Sequence, residues 1–365
     1  MKISKYILYL LISVVSVMSV AAESPNRLKW RQVAKITDRD FFKTPEAERI
    51  ARQVLAYQRV TGGWPKNIDM ARPMSDDEIA EVVSEKQRRD DSTTDNKATT
   101  MEMRYMAQMY EATGDTAYRD AFRRGVEFLL SGQYPNGGWP QFWPDMRDYQ
   151  EHITYNDDAM VNTMLVLRDV MSGESPFGGD LVEGNLRSRL DDSFKRGVEC
   201  ILATQIMVDG EPTVWCQQHY KDTYLPAPAR SYELPSFCSS ESVSIVRLLM
   251  GLPDPDERVI RAVDGAMKWF DKAKIVGLRL EHRGEYGSPD ADLYEVEDPD
   301  AKPIWSRFYD LDKCEPYVCD RDGVPHRHIS EIGHERRNGY SWFTYSPSEL
   351  YPLYEEWRSK HHKIK

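Results

Sequence analysis

The sequence predicts an all-α-dominated ring of antiparallel helical hairpins, carrying an irregular, partly β cap towards its C-terminus. Two observations carry this expectation. The first is an internal repeat. Gln58 is followed five residues later by Gly63-Trp64-Pro65, and Gln133 by Gly138-Trp139-Pro140. Gln205 is followed by Gly210, with a tryptophan returning at Trp215. The glutamines are 75 and 72 residues apart, the length of a helix pair with its loops. The second is an alternation: an apolar helix is followed by a more charged one, three times over. Inner helices buried all round and outer helices with one wet face produce that texture.

The elements follow in order. Pro45–Arg59 reads as a helix, with Thr44 as N-cap and Pro45 at the first helical position. Met74–Asp90 is charged, with Ile79, Val82 and Val83, and reads as an exposed helix. Asn96–Ala112 repeats Ala98, Met101, Tyr105, Met109 and Ala112 at helical spacing and stops at Gly114. Tyr118–Gln133 is its partner. Asp158–Val170 pairs with Leu186–Gln205, and Ser239–Met250, ended by Gly251 and Pro253, pairs with Asp256–Ala273. The glycines are expected to end helices in the left-handed conformation. From about Ile275 the texture changes. Gly277–Glu281 alternates like a strand, and residues 285–345 are rich in Tyr, Asp, Arg and Gly. We expect a cap over about 275–345, then a last helix at Ser346–Trp357.

With 365 residues the chain exceeds one small core, and a single large ring fits. Residues 1–22 read as a secretory signal peptide. Lys2 and Lys5 precede the apolar run Ile7–Val20, and Val20-Ala21-Ala22 ends in small residues. The run is short for a spanning anchor. We expect a secreted or periplasmic enzyme or binding protein, with 23–365 as its single domain. The net charge is −11, and loss of two signal lysines would take it to about −13, a poor balance for nucleic-acid binding. An export route permits disulfides among Cys200, Cys216, Cys238, Cys314 and Cys319, but the odd count leaves a thiol over.

Chemistry is suggested first by the starts of the inner helices: Thr93-Thr94-Asp95-Asn96, Tyr155-Asn156-Asp157-Asp158 and, before the third, Arg230-Ser231-Tyr232-Glu233. One such motif alone would be a helix cap. In a ring, the starts gather at one end. Asp95, Asn96, Asp157 and Asp158 would then converge and repel, unless a hard, oxygen-seeking cation such as Ca²⁺ joined them. The second group is basic: Arg307, Arg321, Arg336 and Arg337 fall within 31 residues, each flanked by acids. A salt-bridged loop region is the plain reading. A guanidinium also offers paired donors to a carboxylate, and an acidic polysaccharide presents one on every sugar. Trp64, Trp139, Trp143 and Trp215 could stack on sugars or pack the ring. His219, His326 and His328 are bases by residue type only and read as structural or solvated.

Thr94-Asp95-Asn96, Tyr155–Met160, Pro228–Glu233, Arg307–Asp310, Cys319–Gly323 and Glu335–Tyr340 together resemble the pectate lyases of polysaccharide lyase family 10. The likeness runs from about Gly63 to Trp342. It implies an (α/α)3 toroid, Ca²⁺ dependence and β-elimination of polygalacturonate. Carried over by residue, Arg230 matches the Brønsted base. Arg307, Arg321 and Arg336 look like the arginines that hold substrate carboxylates. Asp95, Asn96 and one of Asp157 and Asp158, with Asp157 favoured, match the Ca²⁺-associated groups. The expected partner is an acidic polysaccharide, polygalacturonate or pectate, met by a monomer without nucleic-acid or stable membrane association. Three rivals remain at this point. A terpene cyclase-like toroid shares the Gln–Gly–Trp repeat, but the arginine-rich cap and export signal oppose it. A glycoside hydrolase on an α/α barrel could use Asp95 and Asp157 as its two carboxylates. A non-catalytic pectin-binding protein is the third.

Overall fold

The computed structural model describes residues 27–361 except 183, 286, 287 and 289; the expected signal peptide lies outside them. The anticipated helices come in order, joined by two short ones that were not expected, Trp30–Val33 and His334–Gly339. They are α1 (Trp30–Val33), α2 (Pro45–Tyr57), α3 (Asp76–Ser84), α4 (Thr100–Thr113), α5 (Thr116–Gly132), α6 (Ala159–Ser172) and α7 (Asn185–Thr204). Then follow α8 (Ser239–Met250), α9 (Glu257–Ala273), α10 (His334–Gly339) and α11 (Leu350–His361). Helices α4–α5, α6–α7 and α8–α9 form hairpins. Successive inner helices pack on one another, α4 on α6 and α6 on α8, and the outer helices α5, α7 and α9 do the same. The result is a helical toroid. As anticipated, Thr44 caps α2, its hydroxyl accepting from the Ala47 N–H at 3.2 Å. No residue of α3 is buried.

The repeat has a physical job. Each glutamine amide donates twice: to the carbonyl that closes its own loop, and to the next outer helix. Gln58 reaches Gly62 and Ala121 at 2.9 Å each. Gln133 reaches Gly137 at 2.9 Å and Ser193 at 2.8 Å. Gln205 reaches Thr213 at 2.7 Å and Ala262 at 2.9 Å. Each loop tryptophan is fully buried and donates its indole N–H back into the helix before it: Trp64 to Val54, Trp139 to Leu129, Trp215 to Ile201. Trp143 is buried against Phe128. None of the four offers a face to sugar, so the stacking reading is replaced by packing. Gly62 and Gly137 have φ near +92°, and a Cβ there would sit 2.3 and 2.0 Å from the Arg124 and Arg196 carbonyls. Only glycine fits those turns.

Gly114 and Gly173 end α4 and α6 in the left-handed conformation as expected, whereas Gly251 has φ −82°. A fourth copy of the tryptophan contact was not anticipated: Trp305, also buried, donates to Phe270 in α9 at 2.8 Å. The cap is built of short strands. Leu278–Arg283 pairs antiparallel with Asp292–Glu297, and a four-stranded sheet joins Phe237–Cys238, Phe308–Tyr309, Pro316–Cys319 and Pro325–His326. All five cysteines are free.

The N-terminal segment is pinned to the ring by Trp30. Its backbone N–H meets Asp69 at 2.8 Å, and its indole donates to Glu102 on α4 at 2.7 Å. Glu102 is 1 % exposed and its second oxygen has no partner. Burial raises its carboxyl from the ordinary 4.5 to about 7. Between these values the folded chain holds a proton that the unfolded chain has lost, so this residue costs stability as pH rises from about 4.5 to 7. Glu102→Gln is therefore expected to stabilise the protein at pH 8 by roughly 2–3 kcal/mol and to lose that advantage near pH 4. Denaturant melts at the two pH values check this; equal gains at both would refute it.

Candidate active site

The inner-helix starts are not caps. Asp95–Lys97 and Asn156–Asp158 are single 3₁₀ turns ahead of α4 and α6, with no side-chain cap bond at either helix. Asn96, Lys97 and Thr99 have φ of +53°, +66° and +62°; Asp157 and Asp158 have +51° and +60°. Left-handed backbone in five non-glycine residues stores strain where two turns abut, a mark of functional sites. The turns are copies. Thr94-Asp95-Asn96 and Tyr155-Asn156-Asp157 share one backbone path, so Asp95 corresponds to Asn156, and Asn96 to Asp157.

The structure brings Asp95 and Asp157 within hydrogen-bonding reach. Asp95 is buried. Its Oδ2 accepts from the Lys66 ammonium and from Gln141 at 3.1 Å, and its Oδ1 has no partner. Asp157 reaches solvent on one side but is sunk in the cleft on the other. Desolvation first, then the Asp95 carboxylate, push its carboxyl up to about 6. Asp158 turns to Ser244 instead, and burial and Glu241 push it up to about 6. Of the two, Asp157 is the one set against Asp95. Asn96 accepts from Arg31 at 3.3 Å. Among the described residues no three His, Cys, Asp or Glu side chains make a ready metal cage. An orphaned carboxylate oxygen beside a second, proton-hungry carboxylate does suit a hard cation completing its shell from water or a ligand.

Lys66, Gln141, Gln217 and Arg307 were missed as a set. Each lies two residues after a loop tryptophan: Trp64, Trp139, Trp215 and Trp305. Each reaches one of the two turns. Lys66 and Gln141 hold Asp95, while Gln217 at 2.6 Å and Arg307 at 3.2 Å donate to Asn156 Oδ1. The repeat thus supplies one site residue per copy.

The arginines converge on two tyrosines that meet edge to face, Tyr232 and Tyr340, 5.3 Å apart. The guanidinium carbons of Arg336, Arg230 and Arg321 lie 4.6, 4.9 and 5.9 Å from the Tyr232 ring centre. Arg307 and Arg230 lie 4.7 and 5.5 Å from that of Tyr340. The electron-rich ring faces let like charges assemble. Arg307 is buried and paired with Glu241, which also binds Gln217 at 3.3 Å. Burial raises the Glu241 carboxyl, but Arg307 outweighs it and holds it down. Arg336 is buried and Arg321 exposed, and both pair with Glu335. Arg337 is bound by Asp292 at 2.6 and 2.8 Å, so for this arginine the plain salt-bridge reading holds.

Arg230 does not begin α8; it sits in a loop, and the strand Phe237–Cys238 leads into the helix. Its side chain is 42 % exposed; it donates through Nε to Glu233 at 2.7 Å and through a second nitrogen to the other Glu233 oxygen. Glu233 is fixed in turn by the Tyr340 hydroxyl at 2.8 Å. Desolvation lowers the Arg230 pKa, but the Glu233 carboxylate raises it further, above its usual value. A base role needs the opposite shift, so Glu233 restrains Arg230 in this state. The two poles form one site: Tyr149 feels the charges of both Arg230 and Asp95, and Gln217 bridges Asn156 to the Tyr340 hydroxyl at 2.6 and 3.2 Å. The histidines stand apart. His219 is buried, with Nδ1 at 2.8 Å from the Tyr224 carbonyl and Nε2 accepting from Cys216 N–H, and burial lowers its pKa to about 4. His328 is exposed and paired with Glu295.

The comparisons with known proteins put this toroid, with its paired carboxylates and clustered guanidiniums, in the polysaccharide lyase class. A family model for pectic acid lyase matches residues 58–351. A mutant family 10 polysaccharide lyase from Cellvibrio cellulosa, solved with trigalacturonic acid, is 33% identical, with a TM-score of 0.76 over 86% of this chain and 93% of its own. Another structure of a family 10 lyase from Cellvibrio cellulosa is 32% identical, with a TM-score of 0.75 over 87% and 95%. No curated protein sequence matches. The chain belongs to the pectate lyases of polysaccharide lyase family 10.

Proposed function

We propose that the enzyme cleaves α-1,4-linked polygalacturonate by β-elimination, with Arg230 as Brønsted base and Ca²⁺ as cofactor, acting as an exported monomer. The observation that carries this reading is the meeting, in one site, of the Asp95–Asp157 pair with the guanidiniums of Arg230, Arg307, Arg321 and Arg336. Arg307, Arg321 and Arg336 would hold the carboxylates of successive sugars. Neutral Arg230 takes the proton from C5; the C–H electrons form the C4=C5 double bond; the C4–O bond breaks and its oxygen takes up a proton from water. The products are a new chain end and a 4,5-unsaturated oligogalacturonide. Asp95, Asn96 and Asp157, with Asp158 beside them, would hold the cation. When bound, Ca²⁺ supplies positive charge that makes the C5 proton more acidic by drawing on the C6 carboxylate. Lys66 and Gln141 hold Asp95 in place for that task.

Incubation with polygalacturonate and Ca²⁺ tests the reading. Ultraviolet-absorbing unsaturated ends that accumulate with new reducing ends are expected. Reducing ends without absorbance would instead mean a hydrolase, and binding without either would mean a non-catalytic pectin-binding protein.

A further inference from the structure

A second group of cations lies beside the acidic turns. Arg31, Lys35 and Lys97 line a cavity of about 260 Å³ together with Asn96, Asp157 and Asp158. All three cations are exposed. Arg31 is oriented by its bond to Asn96 Oδ1 at 3.3 Å, and Lys97 lies near enough to Asp158 to restrain the rise of its pKa. Among the described residues, none of the three forms an ion pair with a carboxylate, although acids outnumber bases in this chain by 59 to 48. A neighbouring cavity of about 320 Å³ shares Asp157 and Asp158 and is lined also by Glu241, Arg247, Arg307 and Glu349. There the arginines are already paired, Arg307 with Glu241 and Arg247 with Glu349. Arg31 and Lys35 belong to the segment before residue 58, where the family match begins, and Trp30 anchors that segment to α4 through Glu102.

We infer that Arg31, Lys35 and Lys97 form an additional outer subsite, taking the carboxylate of a uronate unit beyond those at the reacting bond. The inference rests on the polygalacturonate reading above. Three exposed cations without a carboxylate salt bridge, around a cavity beside the acidic turns, match a repeating anion, whereas neutralisation of Asp157 and Asp158 alone would not need a cation bound to Asn96. The subsite would make chain length a determinant of specificity.

The test compares Arg31→Ala/Lys35→Ala and Lys35→Glu with the unaltered enzyme, on polygalacturonate and on the shortest oligogalacturonide it turns over. Lys268→Glu, on the outer helix α9, makes the same two-unit change in net charge and controls for it. In the subsite variants kcat/KM on the polymer should fall about tenfold, through KM, with less than a twofold change on the short substrate. Equal losses on both substrates, no loss on either, or a matching loss in the Lys268 variant overturns the subsite. Absence of unsaturated product from the unaltered enzyme would overturn the functional reading itself.

Discussion

Arg230→Ala and Arg230→Lys are expected to lower kcat on polygalacturonate on the order of 10³-fold, with KM little changed. The argument is one of geometry and charge. Arg230 is the guanidinium of the cluster that lies against both rings, Tyr232 and Tyr340, and Glu233 holds it in place. Lysine would keep the charge and lose the planar fork, so it should not rescue turnover. Arginine gives up its proton reluctantly, and each unit of pKa costs about 1.4 kcal/mol. The Glu233 carboxylate adds to that burden. An alkaline optimum follows, and Glu233→Gln should move the rising limb of the pH–rate profile to lower pH, because removal of the anion lowers the pKa of its partner. Steady-state kinetics across pH check both statements. Substantial turnover by Arg230→Ala would remove it from the base role, and an unmoved limb in Glu233→Gln would remove Glu233 from control of it.

Calcium removal has the second large effect. A chelator is expected to suppress turnover on the order of 10³-fold, and added Ca²⁺ to restore it. Asp157→Asn should raise the Ca²⁺ concentration for half-maximal activity about 100-fold, since it halves the charge of the Asp95–Asp157 pair. Asp158→Asn should act less, because that side chain is committed to Ser244 and faces Glu241 rather than Asp95. Titration of activity with buffered Ca²⁺ separates the three. Full activity in chelator would sink the cofactor assignment, and an Asp158 effect larger than that of Asp157 would exchange their roles.

The helices were legible because their apolar spacing is strong and their ends carry Thr44, Gly114 and Gly173. The start of α4 was misplaced by four residues, and the reason is physical. Asn96, Lys97 and Thr99 adopt left-handed backbone without being glycine, a conformation that local sequence preference does not announce and that the packing of two abutting turns imposes. The acidic and arginine motifs could be read as clusters, but their partners could not. Glu241 pairs with Arg307 across 66 residues, and Tyr340 reaches Glu233 across 107. The signal for Lys66, Gln141 and Gln217 was present. It emerges when the copies are aligned on their tryptophans instead of their glutamines. The fourth copy, Trp305 with Arg307, was hidden because its glutamine is absent and the ribbon at residues 278–297 intervenes.

The glutamine contacts also have a direction. Each donor lies earlier in the chain than the outer helix it engages, by 63, 60 and 57 residues. Closing a segment of that length costs nearly the same entropy each time. The ring can therefore be assembled as a succession of similar, moderately local closures, with no need to bring its two ends together first. Each completed hairpin leaves its amide donor waiting for a helix yet to be made, so order of synthesis and order of closure run the same way.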